Sequence, residues 1–154
     1  MGDLYLKLRI SGTTPRCSAG YANYPLAKAS GFSKVFRHIK TIQEDIGEFQ
    51  PKEKYDVIIA TMTLHFLSAE KVPTTIKRMQ EATKTGGLNV IAVYTEENPM
   101  GLRPHLFKKD ELRNFYNNWE MLQYKEFLGP KIENRKDGGP ERRYNAQMIA
   151  RKNF

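Results

Sequence analysis

The stretch Tyr55-Asp56-Val57-Ile58-Ile59-Ala60-Thr61, the helical spacing of Val72, Ile76, Met79 and Ala82 or Thr83 after it, and the run Leu88-Asn89-Val90-Ile91-Ala92-Val93 beyond Gly86-Gly87 together decide the fold. A continuous run of β-branched and apolar residues predicts a strand buried on both faces, as in a parallel sheet. Ser68 is placed to cap the helix, Pro73 sits early enough in it to do little harm, and Gly86-Gly87 predicts its end. Strand, helix, strand with short connections is a βαβ unit, and its crossover is expected to be right-handed. The fold class is therefore α/β.

Downstream of Thr95 the pattern loosens into Glu96-Glu97-Asn98-Pro99-Met100-Gly101-Leu102-Arg103-Pro104, a polar loop after a strand's carboxyl end. Such loops are where α/β domains usually keep substrate contacts. Leu106 to Trp119 reads as a helix with Leu112, Phe115, Tyr116 and Trp119 on one face. That spacing makes Trp119 and Phe115 core residues rather than a base-stacking platform. Glu120 to Leu128 and Tyr144 to Lys152 alternate in part. Between them lies a turn-rich stretch from Gly129-Pro130 to Gly138-Gly139-Pro140, so the two predict an antiparallel pair at the far end of the sheet.

Upstream the signal is weaker. Leu4 to Ile10 alternates like a strand, Tyr21 to Ala29 suggests a helix interrupted by Pro25, and Val35, Phe36, Ile39 and Ile42 line one face of a further helix. The 154 residues allow one ordinary domain. The formal net charge is +8, and it is unevenly spread. Residues 1–43 carry seven basic groups (Lys7, Arg9, Arg16, Lys28, Lys34, Arg37, Lys40) against Asp3 alone, which leaves +2 for the rest. The longest apolar run, Val57 to Ala60, is too short to cross a bilayer, and Met1 to Ile10 lacks the apolar centre of a signal peptide, so a cytoplasmic location without membrane attachment is expected. Cys17 is the one cysteine, which excludes an internal disulfide. His38 and His105 have no acidic or thiol neighbours at metal-ligand spacing, so no metal site is expected.

The Tyr55-Asp56 strand, the turn Lys84-Thr85-Gly86-Gly87 and the strand after it resemble the second half of a class I S-adenosylmethionine-dependent methyltransferase. Met79-Gln80, Phe107-Lys108 to Glu111-Leu112, Tyr116 to Trp119-Glu120 and Ala146-Gln147-Met148-Ile149-Ala150-Arg151-Lys152 are similar to the tellurite-resistance TehB-type members. The resemblance covers roughly residues 41–154. It implies a Rossmann-like, doubly wound, mostly parallel sheet with an antiparallel C-terminal strand pair, in a single domain over residues 1–154. It implies S-adenosylmethionine as cofactor and a small molecule with a soft nucleophile, such as a tellurium or selenium oxyanion, as substrate. No covalent intermediate is needed, only positioning for in-line displacement.

Ligands of open parallel sheets sit beyond the carboxyl ends of the strands, which points to Ala60, Thr61 and Met62 as cofactor contacts. By resemblance, Asp45 accepts from the adenine amino group and Ile46 packs on the ring, although an isolated Glu44-Asp45 pair also reads as a solvated turn. Arg135 stands where the family carries an active-site arginine, but Asn134 replaces the usual preceding histidine and a charged hairpin tip accounts for Arg135 equally well. His65 is read as a packed, hydrogen-bonded side chain ahead of a catalytic base.

The N-terminal side departs from the family pattern. Arg16-Cys17-Ser18-Ala19-Gly20 is laid out like the family's glycine-rich turn, where backbone must approach the cofactor closely, yet Gly20 is the one loop glycine retained. The 11 residues between Phe32 and Glu44 cannot hold a strand and its crossover helix, and no acidic residue stands there to bind ribose hydroxyls. The sheet is accordingly expected to be incomplete at its N-terminal side, which leaves an edge that a second copy of the chain can cover. Two other functions stay open on these residues: a methyltransferase remnant without cofactor affinity, and a nucleic-acid binder that uses the basic segment 1–43.

Overall fold

A computed structural model describes residues 44–98, 103–131 and 142–153. Four strands form one sheet: β1 (Tyr55–Thr61), β2 (Thr83–Tyr94), β3 (Glu120–Leu128) and β4 (Tyr144–Arg151), in the order β1-β2-β4-β3. β1 and β2 run parallel, with Ile58 opposite Asn89 and Ala60 opposite Ile91. β4 is antiparallel to both β2 and β3. Helix α1 (Lys71–Ala82) connects the parallel pair, and the short α2 (Glu111–Asn114) precedes β3.

The pairing register assigns each strand residue to a face. Ile58 and Ala60 of β1, Ile91 and Val93 of β2, and Ala146, Met148 and Ala150 of β4 share the face that is buried. They meet Val72, Ile76, Met79 and Ala82 from α1, and Phe107, Leu112 and Tyr116 from the segment before β3. Burying a side chain of this size contributes about 1.5–3 kcal/mol, so the helix is held by this stripe far more than by its own propensity. The other face of β1 differs from the sequence expectation. Ile59 is 38% exposed and Val57 half-buried, so among the described residues the strand is covered fully on one side only.

Element ends differ from expectation for identifiable reasons. The Ser68 hydroxyl bonds the Glu70 carboxylate and draws its pKa below the usual value instead of capping the helix. The Ser68 carbonyl accepts from the Lys71 and Val72 amides at 3.0 and 3.3 Å, which starts α1 three residues later. The helix then ends at Ala82, before the glycines. Thr83 already pairs with Tyr55, and the register slips before Val57 meets Leu88, so Lys84 to Gly87 form a bulge inside β2. Gly86 takes a left-handed φ of 77° there, and a Cβ on Gly87 would lie 2.8 Å from the Asp56 carbonyl oxygen. The expected helix over 106–119 shrinks to α2 because the chain before it is extended. Phe107 donates to the Tyr94 carbonyl at 3.0 Å, Asp110 adopts φ 59°, and its amide bonds Glu126 at 2.8 Å. Successive tight turns, Tyr116 to Arg113 and Trp119 to Tyr116, keep Leu112 and Tyr116 on one face. Trp119 packs edge-on against Tyr116 and is half-buried at the margin of the core.

Candidate functional site

The carboxyl end of β1 is extended by one further parallel bond, from the Met62 amide to the Ala92 carbonyl at 2.7 Å. Met62 then turns the chain with a left-handed φ of 55°, a conformation unusual for a residue with a Cβ and found where the fold enforces it. The Thr63 hydroxyl donates back to the Thr61 carbonyl at 2.9 Å, and a single 3-10 turn, Leu64–Phe66, follows. Leu64 and Leu67 anchor this loop in the core.

The segment 44–49 lies alongside. The Asp45 carbonyl accepts from the Glu48 and Phe49 amides at 3.0 and 2.9 Å, and its carboxylate Oδ1 accepts from the Gly47 amide at 2.8 Å. Asp45 Oδ1 therefore shapes the turn while the side chain stays exposed, and Ile46 is driven into the core. Arg78 donates to the Gly47 carbonyl at 2.8 Å and Lys71 pairs with Glu48 at 2.6 Å, both from α1.

Between this turn, β1 and α1 runs a mostly apolar pocket, whose walls include Ile46 and Phe49 from the turn, Tyr55 and Ala60 from the strand, and Thr63 and Thr75. Because α1 runs back from the carboxyl end of β1, Thr75 in its second turn belongs near that end, about 6 Å below the helix start. The part beside Ala60, at the carboxyl end of β1, is the functional candidate; Tyr55 starts the strand, away from any expected chemistry. Thr75 is buried, and its hydroxyl has no hydrogen-bond partner among the described residues. Nothing in the sequence pattern distinguished it from the other residues on the buried face of the helix.

Of the residues expected to contact a cofactor, the structure brings Ile46 and Ala60 into one pocket. Thr61 is exposed at the strand end and Met62 sits at the turn, so neither lines it. Gly20 and Arg135 lie outside the described residues, as do Cys17, His38, the seven basic groups of 1–43, and Pro99 to Leu102 of the polar loop. The described start of that loop is tied down by a residue that the sequence pattern did not single out. Buried Asn98 donates to the Thr95 and Tyr144 carbonyls at 2.9 and 2.7 Å and accepts from the Tyr144 amide at 2.9 Å. Beyond it His105 pairs with Glu111 at 3.1 Å. No group of three or more His, Cys, Asp or Glu side chains among the described residues is arranged to hold a metal, and no helix there is long and apolar enough to cross a membrane.

His65 is completely buried. Its ring stacks on Tyr94 at 4.4 Å, and its Nδ1 lies 3.4 Å from the Tyr94 amide. Burial, with Arg103 and then Arg143 nearby, pushes its pKa down to about 3, so the imidazole is neutral at physiological pH. A base this weak does not suit proton abstraction at neutral pH. The reading of His65 as a packed, hydrogen-bonded side chain agrees with this geometry, although its Nε2 is left without a partner.

The family model for the tellurite resistance protein TehB matches residues 29–144. The chain belongs to the TehB family. It is 37% identical over 118 residues to the "Probable S-adenosyl-L-methionine-dependent methyltransferase TehB" of Haemophilus influenzae (strain 10810), an overlap that covers 75% of this chain and 41% of that protein. It is 38% identical over 111 residues to a protein named hemagglutinin 1 of Eikenella corrodens, covering 70% and 37%. Among solved structures, TehB from Haemophilus influenzae superimposes with a TM-score of 0.72 at 31% identity, over 82% of this chain and 46% of that one. The N-methyltransferase NodS from Bradyrhizobium japonicum WM9, solved with S-adenosyl-L-homocysteine, superimposes with a TM-score of 0.64 at 16% identity, over 84% of this chain and 62% of NodS. The chain thus spans less than half the length of the TehB relatives it matches. The fold is the Rossmann-like methyltransferase architecture, and the four described strands supply one parallel and two antiparallel pairings of it.

Proposed function

We propose that the protein transfers a methyl group from S-adenosylmethionine to a small soft nucleophile, of which a tellurite- or selenite-like oxyanion is the first candidate. The observation that carries this reading is the pocket in which Ile46 and Ala60 meet at the carboxyl end of a parallel strand. Its residues suit an adenosine. Ile46 and Ala60 offer an apolar wall for the ring, the exposed Asp45 carboxylate retains acceptor capacity for an amino group, and the Thr75 hydroxyl is a buried polar group without a partner. Ala60, Thr61 and Met62 are the loop residues whose backbone would approach the rest of the ligand. When bound, S-adenosylmethionine supplies an electrophilic methyl group on a sulfonium. The chain's own residues orient the acceptor in line with that bond and exclude water. Gly20 and Arg135 enter this proposal as the glycine of the methionine-side loop and as a substrate contact, both on family resemblance.

The acceptor is a small molecule in this reading, not nucleic acid, because the basic excess of residues 1–43 comes without a recognition motif. Incubation with S-adenosylmethionine and sodium selenite or tellurite, with S-adenosylhomocysteine quantified, tests the proposal. Product that depends on the oxyanion supports both cofactor and acceptor; product with another small nucleophile retains the transfer and replaces the acceptor. The retention of Gly20 alone in the glycine-rich turn favours a second reading, a member of the family without cofactor affinity. Absence of S-adenosylhomocysteine binding would establish that reading in place of the first.

A further inference from the structure

Beyond Met62, at the ends of β1 and β2, Arg103, Phe66, His65, Tyr94 and Arg143 are linked by pairwise ring and guanidinium contacts. The Arg103 guanidinium lies 4.5 Å from the Phe66 ring centre, the Phe66 and His65 rings are 4.6 Å apart, His65 and Tyr94 are 4.4 Å apart, and the Arg143 guanidinium lies 4.9 Å from the Tyr94 ring. Arg143 also donates to the Tyr94 hydroxyl at 2.8 Å. Cation–π contacts of this kind hold guanidiniums over rings at modest gain, and here they set two positive charges around one buried imidazole.

The hydrogen-bond roles follow from that arrangement. His65 Nδ1 faces a backbone N–H and acts as acceptor, which assigns the ring proton of the neutral imidazole to Nε2. Nε2–H is buried with no partner among the described residues, and so is the Nε–H of Arg103. Buried donors left unpaired are uncommon in folded proteins, and each is costly. Both orphan groups are donors, and the neighbouring charges are positive. A water, which must also place its own hydrogens, suits such a site less well than a group made only of acceptors. Phe66, which contacts both Arg103 and His65, is 42% exposed, so the cluster borders solvent at this side chain.

We propose that His65 Nε2 and Arg103 Nε form a subsite for an acceptor-only oxygen group, an inorganic oxyanion or a carboxylate, on the molecule to be methylated. Identifying that ligand as the methyl acceptor rests on the methyl-transfer reading; the binding of the anion does not. His65 lies three residues beyond Met62 on the same loop, so an anion held there is presented from the strand ends at which the cofactor is expected. In this role His65 is a donor of fixed protonation and Arg103 supplies the charge.

Imidazole 1H–15N spectra of the full chain, titrated without S-adenosylmethionine by sodium selenite and separately by sodium formate, test the subsite. The expected result is a saturable shift of the His65 Nε2 signal with at least one anion at up to about 50 mM, well above the millimolar range of one or two charge-assisted bonds. Arg103→Gln should weaken that binding about ten-fold or more, and Arg103→Lys should restore part of it. A response to selenite alone identifies an inorganic oxyanion, and a response to formate alone a carboxylate; both support the subsite. No saturable shift with either anion, or equal binding by Arg103→Gln, overturns it. Anion binding by a chain that does not bind S-adenosylhomocysteine would retain the subsite and remove the methyl-transfer reading.

Discussion

Replacing Thr75 with valine should make the ligand-free protein more stable and the liganded protein relatively weaker. Thr75 is 3% exposed on the core face of α1, and its hydroxyl has no partner among the described residues. Valine has nearly the same shape, fits the same helical rotamer, and removes the unpaired hydroxyl. Burying such a group costs about 1–3 kcal/mol on protein mutational scales, so the variant should gain roughly 1–2 kcal/mol. For a chain of this length that corresponds to a rise in Tm of about 2–4 °C per kcal/mol. Thr75→Ser keeps the hydroxyl and loses a buried methyl, and should fall below the parent by about 1 kcal/mol. Calorimetric melts of the three proteins separate the cases. If the hydroxyl also serves the pocket, Thr75→Val should bind S-adenosylhomocysteine about five-fold more weakly while melting higher. A valine variant less stable than the parent by about 1 kcal/mol or more would refute the reasoning, since it would mean that the hydroxyl is satisfied in the folded protein.

Asn89→Ala should be among the costliest single changes. Asn89 of β2 is fully buried on the core face of the sheet, accepts from the Thr83 hydroxyl at 2.7 Å and donates to the Tyr116 hydroxyl at 2.9 Å, so its loss leaves polar groups unpaired beside a cavity and should cost about 2–4 kcal/mol in urea unfolding. Gly87→Ala should destabilise by about 1–3 kcal/mol because the new Cβ meets the Asp56 and Lys84 carbonyl oxygens at 2.8 and 2.9 Å, and folded-state circular dichroism during denaturation will show it. His65 contributes a pH dependence of defined sign. Its folded pKa of about 3 lies below the ordinary histidine value of about 6.5, so the unfolded chain binds the proton first and stability falls as pH drops from about 6.5 toward 3. Between pH 6.5 and 5 this group alone should remove about 2 kcal/mol, and His65→Phe should flatten the curve by about that amount. Asn98→Ala should release the Tyr144 amide, so its hydrogen exchange should quicken while amides in the middle of α1 change little.

Periodicity alone placed the two parallel strands, the connecting helix and the antiparallel pair, because each buries a stripe whose spacing is set by backbone geometry. It failed where a specific long-range bond overrode local preference. Asp110 leaves the helical region because its amide is held by Glu126, and Gly86-Gly87 form a bulge because β2 starts before them to pair Thr83 with Tyr55. Both partners are distant in sequence and carry no periodic signal. The cofactor candidates were legible to the extent that they sit at a strand end or in a family motif, as Asp45, Ile46 and Ala60 do. Thr75 and the orphan Nε2 of His65 were not legible, since an unsatisfied hydrogen bond exists only once neighbours are in place. Among the described residues the expectation that β1 is covered on both faces is not met at Ile59, where apolar character marks a strand without stating how much of it is covered.

The most direct test is calorimetric titration of the full chain with S-adenosylhomocysteine. The account predicts saturable heat with a Kd below about 1 mM, weakened about ten-fold in Asp45→Ala through loss of the carboxylate acceptor. No heat at millimolar ligand from a chain that unfolds cooperatively would contradict the assignment of the Ile46–Ala60 pocket to the cofactor.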